Sequence, residues 1–129
     1  SYSGPESSEL GILVRVGLLK KYIMTTKGWT NVYAVLRDDL LTFYSNEQCD
    51  VEKGHCLIWA ECRTDTTDRA RTAIRQTLHA PTEWCFHVYA GSSQVYLCAP
   101  SDSLMNGWVR DVHTITRRVK GRIMEQVVS

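Results

Sequence analysis

Five charged residues fall between Leu10 and Arg37, and all five are positive: Arg15, Lys20, Lys21, Lys27 and Arg37. The chain as a whole carries a formal charge of only +1 over 129 residues, so this excess is local. A patch of one sign concentrates anions, whether phosphate groups, an acidic membrane surface or an acidic peptide. The same lysines also suit a hairpin that keeps cations in solvent against aggregation, and residue types alone leave both readings open. Cys49, Cys56, Cys62, Cys85 and Cys98 are odd in number and irregularly spaced, without a CxxC pair. That pattern fits reduced thiols better than a disulfide framework, and better than a zinc site built from Cys49, His55, Cys56 and Cys62. GxSxG, P-loop and HExxH motifs are missing, and the four histidines fall in unrelated segments. We therefore expect no catalytic residues, no metal and no cofactor, and a chain that is not an enzyme.

The basic residues need a scaffold, and the local pattern supplies one. Gly17, Leu19 and Lys21 alternate at period two, the pattern breaks at Thr25 to Gly28, and it resumes from Trp29 to Leu36. This predicts a β-hairpin. Leu19 and Lys21 then share one face and Lys20 and Tyr22 the other, while Val32, Ala34 and Leu36 oppose Trp29, Asn31, Tyr33 and Val35. Asp38-Asp39 turns the chain into a third strand, Leu40 to Tyr44. Ser45 to His55 reads as a polar loop, and Cys56 to Ala60 as a fourth strand that can run on to Arg63.

From Thr64 to Thr82 two periods compete. Ala70, Ile74 and Leu78 suit a helix capped at Thr67 or Asp68, and Thr72, Ile74, Gln76 and Leu78 suit a strand; helix is the reading adopted, ended by Pro81. Trp84 to Tyr89 and Gln94 to Ala99 form a second hairpin about Ala90 to Ser93. Phe86 and Val88 face inward with Val95, Leu97 and Ala99, and His87 faces solvent. Capping residues at Pro100 to Ser103 open an amphipathic helix with a stripe of Leu104, Trp108, Val112, Ile115 and Val119, and Arg117, Arg118, Lys120 and Arg122 suit the negative pole of its dipole.

A chain this long holds one core. We expect a linker over residues 1–12, one domain over 13–120, and a helix extension or tail over 121–129. No apolar run approaches the ~20 residues of a membrane span, and Ser1 to Glu9 has linker composition rather than that of a signal peptide. The near-neutral charge argues against nucleic acid as a partner.

Gly17-x-Leu19-x-Lys21, then Trp29 with Tyr33, Val35 and Leu36, then Tyr96-Leu97-Cys98-Ala99 leading into a helix centred on Trp108, resembles the pleckstrin homology (PH) domain. The resemblance spans roughly Val14 to Val119. It implies a mainly β fold, a seven-stranded, strongly bent antiparallel barrel or sandwich capped by a C-terminal α-helix, with the first turn beside the open mouth. It also implies a non-catalytic module that binds acidic phospholipid head groups, phosphoinositide or phosphatidic acid, through the first hairpin. Such a module would act on the cytosolic face of a membrane, as a cytoplasmic, peripheral and monomeric domain targeting a larger parent protein. In lipid-binding members a lysine ending the first strand and an arginine shortly after the tryptophan of the second grip the phosphates. Lys21 matches the lysine, whereas Val32 stands at the arginine position and Thr30 and Asn31 replace the flanking basic residues. Valine cannot grip phosphate in bidentate fashion, so the expected head-group residues are Lys20, Lys21, Lys27 and Arg15, with Ile23 or Met24 dipping among acyl chains. The alternative is a protein-interaction or adaptor domain without specific lipid binding.

Overall fold

The computed structural model describes residues 12–128 except Ser92, with the side chains of 127 and 128 outside the description. All but the last residue of the expected linker lies outside the described residues. The first hairpin is as the alternation predicts: β1 (Leu13–Ile23) and β2 (Gly28–Arg37) pair antiparallel without a break from Arg15↔Leu36 to Ile23↔Gly28. Lys27 takes up positive φ, 55°, in the turn between them. Asp38, also at a φ of 55°, turns the chain into β3 (Leu40–Tyr44). Inward positions alternate as expected, with Leu19, Val32, Ala34, Leu36, Leu41 and Phe43 all buried.

β4 differs from its expected place. It spans Glu52–Leu57, four residues earlier than the apolar run Cys56 to Ala60 suggests, with Leu41↔Cys56 and Phe43↔Gly54 in register. It is the terminal strand of the sheet, where polar residues such as Lys53 and His55 are tolerated because one edge and one face meet solvent. Ile58 lies beyond the strand yet is fully buried, held by its N–H donating to Asp39 O at 2.7 Å. After the short β5 (Arg63–Asp65), helix wins the contest of periods as α1 (Asp68–Leu78). Thr67 Oγ1 accepts from Ala70 N–H as the N-cap, and Asp65 Oδ1 in turn accepts from Thr67. The helix stops at His79, in the left-handed region, before Pro81 is reached.

β6 (Cys85–Ala90) and β7 (Ser93–Cys98) form the second hairpin. The seven antiparallel strands make one sheet in the order β4-β3-β2-β1-β7-β6-β5, joined at its middle by Lys20↔Cys98 and Lys21↔Leu97. α2 (Asp102–Val128) starts where Ser101 Oγ accepts from Leu104 N–H. Its buried stripe is Met105, Trp108, Val112, Ile115 and Val119, spaced three, four, three and four, and it closes the core. Leu104, expected in that stripe, is 42 % exposed, because it stands one residue, about 100° of helix, from Met105. α1 packs on the other side of the sheet, where Ile74, Cys85 and Cys98 form a second cluster with Trp29, Leu78 and Tyr96.

Candidate anion-binding mouth

Lys20, Lys21 and Lys27 belong to one hairpin end, and strand alternation sends them in different directions. Lys21 points inward. Its Nζ lies 5.6 Å from the Phe43 ring centroid, a cation–π distance, and partial burial holds its pKa below the usual lysine value. It enters a cleft of about 500 Å³ walled by Tyr22 to Thr25, by Phe43 and Gly54 to Cys56, and by Ser93 to Tyr96. The walls therefore come from β1 and its turn, from β3 and β4, and from β7. Gly54, with a φ of 142°, takes a backbone shape that side chains rarely allow, and a Cβ there would meet open space.

Lys20 lies on the opposite face, where its Nζ donates to Asn31 Oδ1 at 2.7 Å. It borders a different cleft, mostly apolar and about 370 Å³, with Leu18, Thr82, Ala99 and Pro100. Lys27 is exposed in the turn. Met24, 70 % exposed, and the half-buried Ile23 line the rim of the mouth. Among the described residues none of the three lysines makes an ion pair with a carboxylate.

Arg15 does not join them. Its Nε donates to Asp111 Oδ2 of α2 at 2.6 Å and its guanidinium lies 5.9 Å from the Trp108 ring centroid. A Cβ on Gly107 would come within 2.7 Å of that guanidinium, so the absence of a side chain on α2 makes its berth. Arg15, also expected at the head-group site, is thus placed away from the turn, its charge paired with Asp111 in an ion pair that fastens β1 to α2. Nor does Val32 face an open mouth. It is 1 % exposed in the core, paired with Leu19, while Thr30 on the same face pairs with Lys21 and is exposed.

His55, Gln94 and Tyr96 line the cleft without any sequence signal, because β4 at the sheet's end and β7 beside β1 meet Lys21 only in the folded sheet. His55 Nδ1 lies 2.8 Å from Glu52 Oε2. His87, expected to face solvent, is half-buried: it bonds Gln94 at 2.9 Å and stacks on Tyr96 with centroids 4.4 Å apart. The alternation placed it on the outer face correctly, and its neighbours cover it there.

Comparison with solved structures gives the same arrangement of strands and helix. The C-terminal PH domain of human pleckstrin superposes with a TM-score of 0.68 at 17 % identity, covering 84 % of this chain and 92 % of that one. The same domain of pleckstrin in complex with D-myo-Ins(1,2,3,5,6)P5 gives 0.67 at 16 % identity, covering 82 % and 97 %. The PH domain of human oxysterol-binding protein-related protein 11 gives 0.66 at 23 % identity, covering 84 % of each. No curated protein matches the chain. The sequence model of the PH domain matches residues 13–117, most of the chain from the first strand to the middle of α2, and by that match this protein belongs to the PH domain family.

Proposed function

We propose that residues 13–120 are a non-catalytic docking module that holds a larger parent protein against anionic membrane surfaces through the β1–β2 hairpin. The observation that carries this reading is the radiation of Lys20, Lys21 and Lys27 from one turn, free of carboxylate partners among the described residues, with Met24 exposed at the same tip. A solved relative that binds an inositol pentakisphosphate supports phosphate as the ligand chemistry. Because the lysines diverge, the surface suits several lipid phosphates spread over a bilayer, phosphatidic acid included, better than one polyphosphate held in the mouth. On that basis each lysine contributes about 1 kcal/mol near an acidic surface, and Met24 with Ile23 adds a shallow apolar anchor. The site acts at the cytosolic face, and the module works as a monomer.

Liposome sedimentation over phosphatidylserine, phosphatidic acid and several phosphoinositides tests this. Lys20→Glu and Lys27→Glu are expected to weaken binding at least as much as Lys21→Glu, and soluble inositol phosphates to compete poorly. If Lys20→Glu, Lys21→Glu and Lys27→Glu together leave binding intact in folded protein, the hairpin is not a membrane surface. A protein partner is the second reading, favoured by one feature remote from the hairpin turn. Leu40 and Leu57 form an exposed cross-strand pair, and Trp59 close behind them is 48 % exposed.

A further inference from the structure

Cys85 and Cys98 stand directly across from each other in the β6–β7 ladder. The next pair outward, Trp84 and Ala99, is joined by Ala99 N–H donating to Trp84 O at 2.8 Å. Hydrogen-bonded and non-hydrogen-bonded pairs alternate along an antiparallel ladder, so Cys85↔Cys98 is a non-hydrogen-bonded pair, the class whose Cα atoms approach most closely, at ~4.5 Å. That separation lies within the range that a disulfide spans, ~4.4 to 6.8 Å. Both side chains point to the outer face and are enclosed with Ile74 beneath α1. The two thiols are buried neighbours in one cluster, Cys85 Sγ donating to Arg71 O at 3.6 Å and Cys98 Sγ to Thr82 O at 4.0 Å. Bond formation thus needs side-chain rotation away from these carbonyls, the backbone separation being already within range.

We propose that Cys85 and Cys98 are an oxidative modification site, a dithiol that closes to a cross-strand disulfide on exchange with a low-molecular-weight disulfide such as oxidised glutathione. One cysteine, as thiolate, attacks a sulfur of the oxidant and releases the first small thiol. The other then attacks the mixed disulfide and releases the second. The S–S bond of the oxidant breaks, that of the protein forms, and each cysteine loses one proton and one electron. Cys98 is among the residues lining the apolar cleft with Leu18 and Lys20, but at 1 % exposure it leaves a small oxidant little access in the folded protein. Burial raises both thiols, Cys98 to about 11, while the Arg75 and Arg71 charges draw Cys85 partly back. Exchange at neutral pH in the folded protein is therefore slow. Cys56 and Cys62 are also buried neighbours, but no ladder opposes them, and Cys49 is exposed and alone.

Trypsin separates the three cases, since Cys85 and Cys98 share the peptide Gln76–Arg110, Cys56 and Cys62 share Gly54–Arg63, and Cys49 lies in Asp38–Lys53. Reduced, denatured protein is refolded in glutathione buffers of graded ratio, so that burial cannot block access, then alkylated and digested. The expected Gln76–Arg110 peptide takes no alkyl group and weighs two hydrogens less, at ratios where Gly54–Arg63 still takes two. Native protein held in oxidised glutathione gives the same peptide more slowly, and the oxidised form melts several degrees above the reduced form. Cys85→Ala abolishes both changes. Two alkyl groups on Gln76–Arg110 at every ratio in folded protein, glutathione retained on either cysteine, preferential closure of Cys56 with Cys62, or a melting point that falls on oxidation would each overturn the proposal.

Discussion

Thr30 stands directly across from Lys21 in the β1–β2 register, exposed, on the face that leads into the mouth. It is therefore the position at which an added guanidinium can reach phosphate together with Lys21. Thr30→Arg is expected to tighten binding to phosphoinositide liposomes and to make soluble inositol phosphates effective competitors, read by sedimentation. Val32→Arg, at the position that the family resemblance singles out, is expected instead to lower stability by several kcal/mol, because it places a charge in the core among Leu19, Ala34 and Leu97. A denaturant melt distinguishes the two outcomes. Arg15→Met removes one partner of a part-buried ion pair, and is expected to cost about 1 to 3 kcal/mol between the limits for exposed and buried pairs while leaving liposome binding unchanged. The directions of Lys20 and Lys21 were legible from alternation alone. The role of Arg15 was not, since its partner Asp111 is 96 residues away and nothing local marks the pairing.

At the scale of elements, α2 carries the strongest prediction. Trp108 is 2 % exposed and its ring edge lies 3.6 Å from where a Cβ on Gly17 would stand, so the indole fills space that β1 leaves open for it. Trp108→Ala is expected to destabilise the fold by about 3 to 5 kcal/mol in a denaturant melt. A loss below about 1 kcal/mol would mean that the helix does not close the core. Both hairpins and this helix were readable because one face of each is apolar and the other polar, which is what a periodic signal requires. β4 escaped the same reading: it is an edge strand whose one buried residue is Cys56 and whose other inward position, opposite Phe43, is Gly54, which leaves little alternation to detect. α1 was ambiguous because Ile74 is its only fully buried residue, and one apolar anchor fits either period. The mouth was legible only on its hairpin side, since His55 on β4 and Gln94 and Tyr96 on β7 reach it only through the long-range order of the sheet.

For the whole molecule, the five cations of the opening segment divide into two groups. Lys20, Lys21 and Lys27 crowd the turn, while Arg15 and Arg37 sit at the other end of the hairpin, the first neutralised by Asp111. The field is thus polarised along β1 and β2 despite a net charge of +1. Binding to acidic bilayers is expected to fall steeply between low and physiological ionic strength, as the screening length shrinks from ~30 Å at 0.01 M to ~8 Å. Retention of full binding across that range would point to apolar contacts or a protein partner.

The central place of β1 also bears on how the chain acquires its structure. β1, β2 and β3 follow one another through short turns and β4 after the loop 45–51, so their contacts are local, but the link from Lys20 to Cys98 closes a loop of about 80 residues. The first three strands can pair soon after synthesis, yet the inward side chains of Leu19, Val32, Ala34 and Leu36 have no cover until β7 and α2 arrive. During translation this domain would present an unprotected apolar sheet until Trp108 and the turns after it have left the ribosome. A chain shortened before α2 should for that reason be a client for chaperones rather than a smaller folded domain.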